Sequence, residues 1–286
     1  MSSSPERTSA HPALFVSLIN DAALFPPAAL PMTQALSAHA EHRAAATADL
    51  VGPFLVGAPA VPDLEAALDA GSPAPATVGL VARPGTAFDR VESALQALRA
   101  QTRTRLVSVD AAWEPGWRDL HMGDLPIHLE IGRRDRDAAL DDLVSAAGTA
   151  DVRAKFRTGA TADWAWPSAD ELADFIVAAG ARHLPFVLTG GLHYAVRGEH
   201  VVAGSVDDQH GLLNVLVAVH ASAGGADATT VRELLEIREA EVLAAVVRGW
   251  SSPDIAAVRA AFTSYGCCDV TDPIGDLHAL GLLATA

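Results

Sequence analysis

The chain has 286 residues, half of them hydrophobic, and its 35 acidic against 20 basic residues give a formal charge of -15. That hydrophobic share excludes a disordered chain, the acidic balance excludes a basic nucleic-acid-binding surface, and no apolar run approaches the ~20 residues of a membrane span. Two adjacent cysteines, Cys267 and Cys268, cannot build a disulfide framework. The polar start "MSSSPERTSAHP" lacks a signal pattern. A cytoplasmic protein with a disordered tail over residues 1–12 is the expectation.

The elements alternate along the chain. "LFVSLIN" (14–20) reads as a first strand, followed by a helix from about Pro31 to Asp49. Strand-type runs then start at 51 (VGPFLVG), 76 (ATVGLVA), 104 (TRLVSVD), 126 (PIHLEIG), 152 (VRAKFRTG), 185 (PFVLTGG) and 261 (AFTSYGC). Helical patterns follow most of them, although a tryptophan-containing segment after 110 shows no clear period. Helix starts are marked by Ser168, by Ser252-Pro253-Asp254 and by Thr271-Asp272-Pro273. Eight βα units without a separating linker predict a parallel (β/α)8 TIM-type barrel as a single domain over 1–286. An open doubly wound sheet would want a Gly-rich phosphate loop after the first strand. "INDAALFPPAA" is not one.

In such barrels chemistry gathers at the C-terminal strand ends. The polar residues there are Asn20 and Asp21, Arg83, Asp110, Glu130, Lys155 with Arg157 and Thr158, Thr189 with His193, and Ser264. Lys155 stands out because the chain's 20 basic residues are nineteen arginines and one lysine. Strand alternation puts Arg153, Lys155 and Arg157 on one face and Ala154 and Phe156 on the other, against the helices. A buried amine near a guanidinium is expected to lose its proton more easily, as a Schiff-base nucleophile must, and an arginine cannot take that role. A buried ion pair of Lys155 with Glu130 or Asp110 is the competing reading.

"AKFRTGA" resembles the sixth-strand motif of the deoxyribose-phosphate aldolase family of class I aldolases, and three more blocks follow in family order. "DAALFPPA" is similar to the first-strand segment at Asp21, Leu24 and Pro27, "LEIG" to the fifth-strand segment at Glu130 and Gly132, and "LTGGLH" to the seventh-strand segment at Gly190 and Gly191. The resemblance implies a barrel lyase in which Lys155 forms the Schiff base. The family's helper lysines on strands five and seven are Pro126 and Val187 here, and its arginine after the glycine pair is His193. These departures imply a divergent relative with altered chemistry and a substrate other than a phosphosugar.

The leading expectation is therefore an aldolase-like carbon–carbon lyase without cofactor or metal, acting on a small aldehyde or oxo-acid. Lys155, Asp110, His193, Glu130 and Asp21 would carry the chemistry, with Asp21 orienting an acid–base group. Arg157, Thr158, Asn20, Thr189, Gly190, Gly191, His210 and Ser264 would hold the substrate, and a homo-oligomer is compatible with all of this. Two alternatives stand beside it. One is a metal-dependent barrel hydrolase or lyase using His193, His210 and a carboxylate. The other is a non-catalytic barrel that binds a small anion, with Arg157, Thr158 and Gly159 as donors. His210 is equally readable as a helix cap. Cys267 and Cys268 read as small strand hydrophobes, or as a nucleophile if a thiol pKa is depressed. The tryptophans of "WAWP" (164–167) would shield an imine or cover the helix below.

Overall fold

A computed structural model describes residues 12–161, 164–202 and 205–283. Eight parallel strands close into a barrel in the order β1-β10-β7-β6-β5-β4-β3-β2. They are β1 (Ile19–Asp21), β2 (Val51–Gly57), β3 (Thr77–Val81), β4 (Arg105–Ala112), β5 (Ile127–Glu130), β6 (Val152–Arg157), β7 (Phe186–Thr189) and β10 (Phe262–Cys267). The remaining pair, β8 (Gly198–Val202) and β9 (Ser205–Gln209), forms an antiparallel hairpin in the long connection after β7. The expected (β/α)8 architecture is thus present, and no described helix is long and apolar enough to cross a membrane.

The first strand is shorter than its apolar run suggests. Pro12–Phe15 forms a helical turn, and the strand begins only at Ile19. Proline is tolerated in a first helical turn, and that turn buries Leu14 and Phe15 completely. The tail expected over 1–12 lies outside the described residues except for Pro12. The helix after β1 runs over Met32–Ala44 and hands over to a single 3-10 turn at Ala48–Leu50.

The other helices follow from their caps and apolar faces. Ser168 opens Ala169–Ala181 with a reciprocal capping box to Glu171, and Ser251 does the same with Asp254 for Ser252–Ala261. Thr271–Ala279 has no side-chain cap, since Val270 stands at that position. After β4 there is only a 3-10 turn, Trp117–Asp119. The Trp113 and Trp117 indoles and the Arg118 guanidinium all donate to Asp142, which ties this aperiodic stretch to the helix Arg136–Ala146.

The main core lies between strands and helices. Phe156 of β6 stacks on Phe175 of the helix Ala169–Ala181 at 4.6 Å between centroids, and Phe175 meets Phe186 of β7 edge-on at 5.1 Å. Each such ring contributes roughly 1.5–3 kcal/mol by burial. This packing places Ala154 and Phe156 on the helix side, and Lys155 and Arg157 on the interior side.

Candidate active site

Three neighbouring strands deliver charge to the barrel interior. The registers pair Asp110 of β4 with His128 of β5, and Glu130 of β5 with Lys155 of β6. Lys155 donates from Nζ to Asp110 Oδ2 at 2.8 Å and stands 3.6 Å from Glu130. The other Asp110 oxygen meets His128 Nδ1 at 2.7 Å. Arg157 donates from Nε and Nη2 to the two oxygens of Glu130 at 2.8 and 3.3 Å. Lys155, Asp110 and His128 are all buried, whereas the Arg157 side chain keeps 27% exposure and marks the rim.

The electrostatics follow from this geometry. Burial would raise Asp110, but the charges and hydrogen bonds of Lys155 and His128 outweigh it and hold the carboxyl well below the usual range. Glu130 is likewise lowered, with Lys155 and Arg157 overcoming its desolvation. Both carboxylates are ionised at neutral pH. Arg157 is engaged with Glu130, so it does not stand beside Lys155 as an unpaired cation in the way expected of an activator. Both carboxylates of the competing ion-pair reading are the partners of Lys155. Asp110 engages Nδ1 of His128, which leaves Nε2 as the other ring nitrogen. It is buried and has no hydrogen-bond partner among the described residues.

His128 is the site residue the sequence reading missed. It lies two residues before Glu130, so the alternation that aligned Lys155 with Arg157 also turns His128 inward. Arg153, on the same alternation, pairs with Asp151 at 3.1 Å.

The remaining candidates divide by strand. Asn20 donates to Ser264 Oγ at 3.2 Å across β1 and β10, and both are buried. Asp21 does not join the lysine network. It accepts Ala23 N–H and pairs with His39 at 2.9 Å and His42 at 3.4 Å, anchoring the helix Met32–Ala44. Burial alone would raise its pKa, but these hydrogen bonds bring the group down to about 2.

Thr158 donates through its amide and hydroxyl to the Thr189 carbonyl at 2.8 and 3.2 Å. Its neighbour Gly159 lies against β7's exit: a Cβ at 159 would come within 1.3 Å of the Gly190 carbonyl oxygen. Gly190 itself has φ +71, and a Cβ at 191 would crowd Thr158. These glycines let the loops after β6 and β7 touch backbone to backbone.

His193 and His210 do not converge. Arg197 donates to His210 Nδ1 at 3.0 Å, and His210 Nε2 donates to the Pro167 carbonyl at 2.9 Å. Burial, with the Arg197 charge adding to it, brings His210 down to about 4 and keeps it neutral. It does not cap the following helix, whose N-cap is Gly211. His193 instead reaches Asp272, Cys267 and Cys268. No group of three or more His, Cys, Asp or Glu side chains among the described residues is arranged to hold a metal ion. Trp164 is exposed and carries the Arg133 guanidinium over its ring at 4.9 Å.

The opposite interior wall is apolar. Leu55 approaches both Gly79 of β3 and Gly266 of β10, which are not neighbouring strands, so its side chain crosses the barrel interior. It clusters with Ala22, Val81 and Phe25, apart from the main core. A recess of about 740 Å³ lies elsewhere, lined by residues including Arg99, Thr104, Leu106 and Met122 near the start of β4. Residues at the N-terminal strand ends of such barrels serve stability. Compared with known proteins, the chain matches no family model and no curated protein.

Proposed function

We propose that the protein is a Schiff-base lyase of the aldolase type, acting on a small aldehyde or oxo-acid without a cofactor. The observation that carries this reading is the Lys155 amine, buried inside the barrel and 2.8 Å from the Asp110 carboxylate. Attack needs a free amine, and Asp110, the nearest acceptor, takes the proton only transiently, against the lowered pKa that its partners give it, with His128 holding the other oxygen. The free amine adds to the carbonyl carbon, and the carbinolamine loses water as Asp110 returns the proton. The resulting iminium withdraws electrons from the adjacent carbon–carbon bond, and Glu130 or His128 Nε2 moves the proton that cleavage requires. Arg157 orients Glu130 and faces the rim, where an anionic substrate group would enter. The apolar wall around Leu55 suits the carbon chain.

Reductive trapping tests the reading. The protein is incubated with acetaldehyde, pyruvate or glyoxylate, then with sodium borohydride, and its peptides are mapped by mass spectrometry. The expected result is a stable adduct on Lys155 with at least one carbonyl. It should be lost in Lys155→Arg, which keeps the cation but not a titratable amine. No Lys155 adduct with any carbonyl, or undiminished trapping in Lys155→Arg, overturns it.

A further inference from the structure

A second constellation sits where β7 and β10 end. Cys268 Sγ lies 3.4 Å from His193 Nε2, and His193 Nδ1 lies 3.2 Å from Asp272 Oδ2. The order is a thiol, an imidazole and a carboxylate on the far ring nitrogen, the arrangement in which a base activates a nucleophile and a third group fixes the base's tautomer. The elements that supply it are adjacent because β10 pairs in parallel with β7, the barrel strand before it. Asp272 is the second residue of the helix Thr271–Ala279, which presents its carboxylate back toward the strand end. Cys267 is a different case. It is fully buried, and its thiol donates to the Asp269 carbonyl at 3.0 Å. Cys268 keeps 8% exposure, and the His193 side chain keeps 13%.

We infer that Cys268, His193 and Asp272 form a thiol acyl-transfer site for a small activated acyl group, a thioester or ester. Asp272 accepts the Nδ1 proton of His193, leaving Nε2 to take the thiol proton as sulfur attacks the carbonyl carbon. The carbon–sulfur bond to Cys268 forms, the bond to the leaving thiol or alcohol breaks, and His193 passes its proton to that leaving group. Water then attacks the acyl-cysteine with His193 again as base, releasing the acid and restoring the thiol. No electrons are exchanged. Burial raises the Cys268 thiol, so the sulfur keeps its proton until it attacks, and proton transfer accompanies attack. The backbone amides of Ala28 and Cys268 face the sulfur and favour the negative charge it gathers as it loses its proton. The inference is independent of the role assigned to Lys155.

p-Nitrophenyl acetate is the probe, followed by stopped flow and by peptide mapping. A burst of about one p-nitrophenolate per chain, with acetyl on Cys268, is expected. Cys267→Ala should keep the burst and Cys268→Ala should lose it. His193→Ala should slow acylation about 100-fold, and Asp272→Asn should slow it less while moving its pH profile. Mapping of the unsubstituted protein stands even if a variant fails to fold. No burst, acetyl on any residue other than Cys268, or a normal acylation rate in His193→Ala overturns the inference.

Discussion

The barrel interior is built of two unlike walls. On β4, β5 and β6 the inward positions include Asp110, His128, Glu130, Lys155 and Arg157, each bonded to a neighbour in the same group. On β2, β3 and β10 they include Gly52, Leu55, Gly79, Val81 and Gly266, and there the interior is filled by volume matching. Leu55 occupies space left by Gly79 and Gly266, and the Asn20 side chain lies over Gly52, where a Cβ would come within 2.3 Å of its oxygen. The charged wall depends on complete pairing, because one missing cation strands a buried carboxylate. The other wall depends on shape, and its losses scale with the volume removed.

The largest effect should come from Lys155→Met, which leaves Asp110 buried without its cation. We expect a loss of about 3–5 kcal/mol at pH 7, read by urea denaturation. Its pH dependence gives a sharper test. In the parent protein Asp110 and Glu130 have lowered pKa values in the folded state. Their contribution is present above the ordinary carboxylate range near pH 4 and is lost as pH falls. In Lys155→Met burial without a cation raises Asp110, so acid protonates and relieves it. The gap between the two proteins should therefore narrow toward pH 3, and a constant gap would contradict the paired-wall description.

Leu55→Ala, on the other wall, should cost about 2–3 kcal/mol by denaturation. Its stability should follow the parent's pH dependence, since no charge loses a partner. A changed acid limb would mean that the two walls are electrostatically coupled. The smallest effect should be Arg157→Lys at the rim. It gives up the two-point bond to Glu130 for a single one and should cost about 1 kcal/mol in the same assay.

Much of the charged wall was legible because β6 announces its own register. Phe156 is an aromatic that belongs against helices, which turns Lys155 inward and Arg157 with it. The same alternation would have found His128, had the histidine been weighed beside Glu130. The first strand misled because Leu14 and Phe15 serve a buried helical turn as well as a strand, and composition does not separate the two. The hairpin Gly198–Gln209 was hidden in a polar stretch with no apolar period. Cys268, His193 and Asp272 are harder still. His193 is 75 residues from Cys268 and 79 from Asp272 in the chain, and only the pairing of β10 with β7 brings the two strand ends together. The outward role of Asp21 was also invisible, since it depends on histidines one helix away.

The contact between Gly159 and Gly190 has a mechanical consequence. Gly159 follows Lys155 by four positions, and Gly190 precedes His193 by three. Their backbones meet without an intervening side chain that could yield, so the two loops form a hinge-free seam. A side chain at 159 would drive into the Gly190 carbonyl, whereas one at 190 would meet the Arg157 guanidinium. The strand ends that carry Lys155 and His193 are thereby held at a fixed spacing on one face of the barrel.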